Sequence, residues 1–335
     1  MIDKIVELAE ELSKERRKDL ELVSRMEIAA HGQFPRFLMI SPINRSSQDL
    51  ELFNMVFGDA FHGTRVPRMP LLPPQKSRFL FGGPAAYNRD FPNERGVILT
   101  FEQDEPESVI KETLDNLVLH PDVKGIPIIV FRVDYELGRA RIIPHGKGRN
   151  YEAENHLLAR LHRPNEIDAD TLVLICSDSR VHPPATPHGL PMAIQTLAGY
   201  IPKYTGSDDE TNQLNEFFTE WLSKNSLSRH ILIVAHGNFE GDGHSCGAAQ
   251  ASLNPDNVKN YFLHYVIAEL QVAATPFEKH TSKNAEERVK ALSLAIKEHL
   301  LSYPAVREFA DTSLSDFIDI LLMDTVSNTL FTAEF

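Results

Sequence analysis

Only two cysteines stand in this chain of 335 residues, Cys176 and Cys246. Cys176 ends the apolar run TLVLIC (171–176) and is followed by Asp178 and Arg180, in the spacing C-x-D-x-R. A second apolar run, HILIVA (230–235), delivers His236, and the Gly-rich segment after it ends on Cys246. Two thiolates and one imidazole make a zinc ligand set. Three protein ligands leave the fourth tetrahedral position to water, which is the pattern of a catalytic site. Zinc brings the pKa of such a water to about 7, giving hydroxide at neutral pH. Arg180 can grip Asp178 through a bidentate fork and keep it ionised. The carboxylate then either orients the hydroxide by accepting its hydrogen bond or closes the site as a fourth ligand.

Each of these residues also has a plain reading. A strand-end Cys is most often a small buried hydrophobe, and a His before a Gly is usually a satisfied polar residue. Together, Cys176, Asp178, Arg180, His236 and Cys246 outweigh that account. His244, in HSC, competes with His236 for the metal, but one residue between His and Cys is too few, and His236 sits at a strand end. His182, His188 and His230 read as surface or capping residues, and Asp242 and His244 as parts of a solvated loop. CSDSR is too short to wrap an anion as a Cys-dependent phosphatase or rhodanese would, and neither a Walker loop nor G-x-G-x-x-G occurs.

These side chains need a scaffold. An amphipathic helix is expected over 2–28, a strand at 36–41, a long Pro/Gly/Arg-rich loop over 62–95 and a strand at 96–101. A helix over about 105–119, one or two strands ending near 143 and a linker at 144–150 follow. Beyond the linker, helices at 151–162, about 209–224, 256–273 and 284–302 alternate with the strands at 171–176 and 230–235, and the chain ends as strand, turn and strand. This alternation predicts an α/β fold with a largely parallel sheet. In such sheets, sites form outside the carboxyl ends of the strands.

The length suggests two domains or two similar halves. A formal charge of -13 argues against nucleic acid or an anionic membrane as partner. The first residues are charged throughout, with no apolar signal core, and no run approaches the roughly 18 apolar residues of a membrane span. A cytoplasmic protein is expected, whose two cysteines form no disulfide framework.

The residues CSDSRV (176–181), His236 sixty residues after Cys176, and CGAA (246–249) resemble the β-class carbonic anhydrases, whose pattern is C-x-D-x-R and then, about sixty residues on, H-x-x-C-G. The resemblance covers about 151–335, including YPAVREF and FIDILLMDTVSNTL. It implies a mostly parallel sheet flanked by helices and one Zn2+ held by Cys176, His236 and Cys246. It also implies reversible hydration of CO2 to bicarbonate by attack of zinc-bound hydroxide, with Asp178 orienting the hydroxide and Arg180 holding Asp178. Two departures stand out. Nine residues separate His236 from Cys246 where the family usually has two, a widening that divergent relatives such as the carboxysomal form share. QTLAGYIP (195–202) stands where the family tends to have R-N-A-G-N.

The first half is similar to the second. Against DADTLVLICSDSRV (168–181), GQFPRFLMISPINRS (32–46) puts Ser41 at Cys176, Ile43 at Asp178 and Arg45 at Arg180, and Glu102 shadows His236. The expected architecture is a pseudo-dimer of tandem halves. Residues 1–30 form a helical arm, 31–150 a degenerate half without metal ligands, and 151–335 the zinc-binding half. The family's site lies at a subunit interface, and GQFP (32–35) resembles its G-Q-x-P, so Gln33 is expected to reach the zinc pocket from the degenerate half. The resemblance further implies a small-molecule substrate, a homo-oligomer of pseudo-dimers and a cytoplasmic or carboxysomal setting. Hydrolysis of carbon disulfide or carbonyl sulfide, or a non-enzymatic zinc-stabilised scaffold, are the alternatives.

Overall fold

Runs of Ile, Leu and Val without polar interruption can be buried on both faces, and here they become the inner strands of two largely parallel sheets. A computed structural model describes residues 1–55, 58–77, 82–90, 96–146, 151–224, 229–241, 244–278, 282–313 and 317–333. Two helices, α1 (Ile2–Arg16) and α2 (Leu20–Ala30), open the chain. The first sheet is built from β1 (Phe37–Pro42), β2 (Ala60–Arg65), β3 (Gly96–Glu102), β4 (Ile128–Asp134) and β5 (Arg139–Ile142), with α3 (Ser46–Leu52), α4 (Gly82–Asp90) and α5 (Glu107–Leu117) between them. After α6 (Tyr151–Ala159), the second sheet takes β6 (Ile167–Cys176), β7 (Leu190–Thr196), β8 (His230–Gly237), β9 (Ile318–Asp324) and β10 (Leu330–Thr332). Its helices are α7 (Asp209–Ser223), α8 (Gly247–Ser252), α9 (Tyr261–Ala274), α10 (Ala285–Ser302) and α11 (Pro304–Thr312).

The two sheets share one topology. The first runs β2-β1-β3-β4-β5 and the second β7-β6-β8-β9-β10, and in each the last strand alone is antiparallel. This is the α/β fold of two related halves. Ile40 pairs with Leu99 in the first sheet as Ile175 pairs with Val234 in the second. Setting Ser41 on Cys176 therefore puts Phe101 opposite His236, and Glu102, expected at that place, falls one residue later, opposite Gly237. In both sheets the strand order reverses between the first and third strands of the half. A crevice outside their carboxyl ends is the usual ligand position in open α/β sheets.

The halves meet along β2 and β7. His62 N–H donates to the Ser177 carbonyl at 2.9 Å, Ala193 N–H to the Ile43 carbonyl at 3.0 Å and Gln195 N–H to the Thr64 hydroxyl at 3.1 Å. The Ser46 hydroxyl bonds Gln195 Oε1. One apolar core runs through both halves, from Leu38, Leu99 and Val130 to Leu174, Ile233 and Leu321. The arms cross over: Ile5 and Ala9 of α1 join that core beside β10, while Leu157 of α6 packs with Phe53, Phe131 and Tyr135 of the first half. A division after residue 150 thus assigns α6 to one half by sequence and to the other by packing. Residues 147–150 of the expected linker lie outside the described residues. Among the described residues, no helix is long and apolar enough to cross a membrane.

Three elements differ from expectation. The helix expected over 2–28 is broken, because Asp19 Oδ1 accepts from the N–H groups of Glu21 and Leu22 and caps a second helix. The segment 62–95 is not one loop: it contains most of β2, and α4. β2 reads AFHGTR, yet all six residues are buried, with partners for Thr64 and for the outer nitrogens of Arg65. Thr64 is bonded across the halves, and Arg65 forks onto Glu105 at 2.5 and 2.7 Å. β7 is the third difference, since its Pro191 and Gln195 hide a buried strand.

In the first half, the place of Cys176 is taken by a hydrogen-bonded cluster. Asp49, fully buried, accepts from Ser41, Thr100 and Tyr135. Burial, only partly offset by those bonds, raises its pKa to about 6. A carboxyl raised on folding favours the native state while it is protonated, and that contribution fades as pH climbs past about 4 and through 6. Comparing urea unfolding of the native chain and Asp49→Asn at pH 4 and pH 7.5, the native chain loses about 2 kcal/mol relative to the variant. A gap independent of pH contradicts this.

Candidate metal centre

Cys176 is the last residue of β6 and His236 the penultimate residue of the adjacent β8, so both reach the crevice where the strand order reverses. Cys246 arrives from the loop that precedes α8. The ligand atoms of these three residues all lie within 4.8 Å of one another, and all three side chains are buried. The two sulfurs are 3.9 Å apart. Two sulfurs bound to one tetrahedral zinc at about 2.3 Å would stand about 3.8 Å apart. His236 Nε2 is buried and makes no hydrogen bond. The residues therefore fit a tetrahedral metal with two sulfur ligands and one nitrogen ligand.

The ring of His236 is oriented from behind. The Thr325 hydroxyl donates to the Gly237 carbonyl at 3.0 Å, so its oxygen accepts from His236 Nδ1 at 2.9 Å. That fixes the tautomer with its proton on Nδ1 and turns the Nε2 lone pair toward the sulfurs. Cys176 Sγ has its own donor, the Ala198 N–H at 3.2 Å. Ala198 holds φ at 57°, a left-handed conformation uncommon for a residue with a Cβ. Gly199 follows at φ 69°, and a Cβ there would come within 3.2 Å of the Ile175 backbone. Chain reversal, the sulfur contact and this close approach explain the Ala-Gly pair in QTLAGY.

Asp178 and Arg180 form a closed pair. Arg180 Nε and Nη2 donate to the two carboxylate oxygens at 2.9 and 2.6 Å, and the Arg180 N–H adds a third bond at 2.9 Å. Burial would raise the carboxyl, but the guanidinium outweighs it and holds the pKa at about 2. Turned onto Arg180, the carboxylate stands outside the three-residue ligand cluster.

Burial pushes the Cys176 thiol far up, while its hydrogen bond to Cys246 draws the second thiol down. Burial disfavours charge on His236, yet Cys246 and Asp178 beside it leave its pKa raised. The negative charge of the cluster thus rests on Cys246, while Cys176 keeps its proton.

The nine-residue interval does not displace Cys246, because the described residues of the loop are pinned at Phe239 and Glu240 and again at His244 and Ser245. Asp324 Oδ2 accepts from the N–H groups of Phe239 and Glu240 at 3.1 and 3.0 Å. His244 N–H donates to the Ala30 carbonyl at 3.2 Å. Arg180 reaches the carbonyls of His244 and Ser245 at 3.1 and 3.2 Å. His244 is thereby a backbone anchor and stands outside the ligand cluster. Asp242 lies outside the described residues.

Gln33 comes from the other half. Its Nε2 donates to Asp178 Oδ2 at 3.3 Å, and its Oε1 accepts from the Ser179 N–H and hydroxyl, both at 3.3 Å. A cavity of about 40 Å³ opens beside Cys176 and Asp178. Gln33, Phe61 and Ala86 of the first half face Leu197, Leu263 and Ile267 of the second across it. Sequence reasoning did not find Thr325, the Ala198 amide, Phe61 or Ala86. None belongs to a spaced motif, and each is defined by a contact between distant elements.

No family model matches the chain, and no curated protein does. Among solved structures it is similar to several β-carbonic anhydrases. The β-carbonic anhydrase CcaA shares 16% identity over 55% of this chain and 86% of its own, with a TM-score of 0.36. A tetrameric β-carbonic anhydrase of the filamentous ascomycete Sordaria macrospora shares 18% identity over 50% of this chain and 81% of its own, at 0.36. A Coccomyxa β-carbonic anhydrase shares 15% over 52% and 74%, at 0.34.

Replacing Thr325 by Val removes the acceptor that orients His236 while keeping the volume of the side chain. Zinc affinity, measured by competition with a chromogenic chelator, falls by about 10- to 100-fold. Unchanged affinity contradicts the orienting role.

Proposed function

We propose that this protein is a zinc enzyme that hydrates CO2 reversibly to bicarbonate. The observation that carries the proposal is the juxtaposition of the Cys176–His236–Cys246 cluster, the Asp178–Arg180 pair and the small cavity beside them. Bound by those three residues, zinc would supply a Lewis acid that brings water to a pKa of about 7 and makes it a nucleophile at neutral pH.

The chain's own groups do the rest. Asp178, kept ionised by Arg180, accepts a hydrogen bond from the attacking water and turns its lone pair toward the cavity. Phe61, Ala86, Leu197, Leu263 and Ile267 give the cavity an apolar wall suited to a linear, uncharged molecule. Its volume of about 40 Å³ suits a small substrate. Gln33 directs an amide N–H into the same space, where it can bond a product oxygen. Water and CO2 give bicarbonate and one proton, which leaves to buffer. In this reading residues 31–150 bind no metal and complete the pocket wall, so one metal serves each chain. An Asp clamped by an Arg beside the ligand cluster supports an enzyme over a structural zinc site, which has no use for that pair.

Stopped-flow hydration of CO2 by the zinc-loaded protein tests the reading. The native chain exceeds its Cys176→Ala variant in a zinc-dependent manner. Asp178→Asn loses on the order of 100-fold in kcat, and Gln33→Ala loses about tenfold, the worth of one hydrogen bond. A native rate equal to that of Cys176→Ala, or turnover of carbonyl sulfide without CO2, overturns it.

A further inference from the structure

Helix α9 is apolar on two faces, and the core uses one of them. Its inner stripe, Leu263, Val266, Ile267 and Leu270, is buried, and Leu263 and Ile267 line the metal pocket. Its outer stripe is Tyr261, Tyr265, Ala268 and Val272. Tyr261 is 78% exposed, Tyr265 40% and Val272 70%, while Ala268 is half-buried among them. Leu119, 59% exposed, stands near the amino end of the helix, next to His120, whose ring lies 5.0 Å from that of Phe262. A surface helix ordinarily turns charged residues to solvent. In fourteen residues α9 carries one, Glu269.

The outer stripe advances by 4, 3 and 4 residues, the spacing of the seam along which one helix pairs with another. Its large residues come first and its small ones last. Set antiparallel against a second copy about a two-fold axis, Tyr261 meets the partner's Val272 and Tyr265 meets the partner's Ala268, so large faces small at each level. The same register brings Lys259, exposed just before the helix, level with the partner's Ala274. That is the carboxyl end of the partner helix, whose carbonyls favour a cation. A nucleic acid or an anionic membrane, by contrast, finds no Lys or Arg on α9 and a chain of net charge -13. Two such chains repel each other least at this nearly uncharged face. The exposed apolar area here is on the order of 400 Å². That is about half of the ~800 Å² that each partner of a standard interface buries, which points to a dimer of micromolar strength.

We propose that the outer face of α9 is the docking surface for a second copy of this chain, joined through an antiparallel α9 pair. The expectation of a homo-oligomer, drawn from the sequence, named no surface; this names one. The pairing helix carries part of the metal-pocket wall on its inner face, so the two metal pockets of the dimer lie back to back behind the α9 pair.

Sedimentation velocity of the full-length protein over about 1–200 µM tests this, a range that spans the affinity expected of such an area. A monomer–dimer equilibrium is expected. Tyr261→Lys and Val272→Lys, both at exposed positions and shown folded by circular dichroism, each weaken the dimer by about tenfold or more. Because Cys176 and Cys246 are buried, added surface cysteines report the register. Chains carrying Tyr261→Cys and Val272→Cys, mixed and mildly oxidised, cross-link to each other more than either does to itself. A chain that stays monomeric throughout overturns the proposal, as does a dimer that either lysine substitution leaves intact. A preference for like-to-like cross-links overturns the antiparallel pairing and the proposal with it. Capture of the native chain by phosphatidylcholine vesicles, lost in Val272→Lys, would assign the face to lipid and overturn the proposal too. None of these readouts depends on metal or on CO2 hydration, so failure here is distinguishable from failure of the enzyme reading.

Discussion

The Arg180 guanidinium ties the candidate metal centre together. It grips both oxygens of Asp178, two residues away on the turn after β6, and also holds the carbonyls of His244 and Ser245 on the approach to Cys246. Its own carbonyl accepts from Asn328 at 3.0 Å, on the turn that also carries Thr325 and so orients His236. One buried cation thus fixes the carboxylate and two of the three segments that bring the ligands. Removing one partner of such a buried pair costs about 3–5 kcal/mol, because the other charge is left without compensation. The widened interval before Cys246 is tolerated for this reason. Arg180 and Asp324 hold its backbone at His244, Ser245, Phe239 and Glu240.

The two halves show what the same topology does with and without metal ligands. In the second, the crevice holds two thiols, an imidazole and a clamped carboxylate. In the first, Ser41 stands where Cys176 would, Phe101 where His236 would, and Asp49 gathers three hydroxyl donors into a buried cluster. Arg45, at the place of Arg180, has turned to Glu102 at 2.7 Å. The first half is not inert. Its Gln33, Phe61 and Ala86 wall the metal pocket.

Much of the centre was legible in the sequence because its chemistry is carried by residue type and spacing. C-x-D-x-R at a strand end, His236 at the end of a second apolar run and the only other cysteine converge on one point, and the fold brings them there. The parallel, duplicated architecture was legible in the alternation of apolar runs and in the likeness of 32–46 to 168–181. What escaped was polar and buried. β2 and β7 carry His62, Thr64, Arg65 and Gln195, whose burial depends on partners far away in the sequence, across the halves for Thr64 and Gln195 and at Glu105 for Arg65, and leaves no hydrophobic period to read. The one-residue shift from Glu102 to Phe101 is set by strand register, which side-chain similarity alone does not determine. Thr325 is visible only once β9 lies beside β8.

The account stands or falls on a single metal held by Cys176, His236 and Cys246. X-ray absorption at the zinc edge of the purified chain, with the metal content of the same sample, tests this most directly. One zinc per chain with two sulfur neighbours at about 2.3 Å and lighter nitrogen or oxygen neighbours near 2.0 Å is predicted. Two zinc ions per chain, or a shell with fewer than two sulfurs, would contradict it.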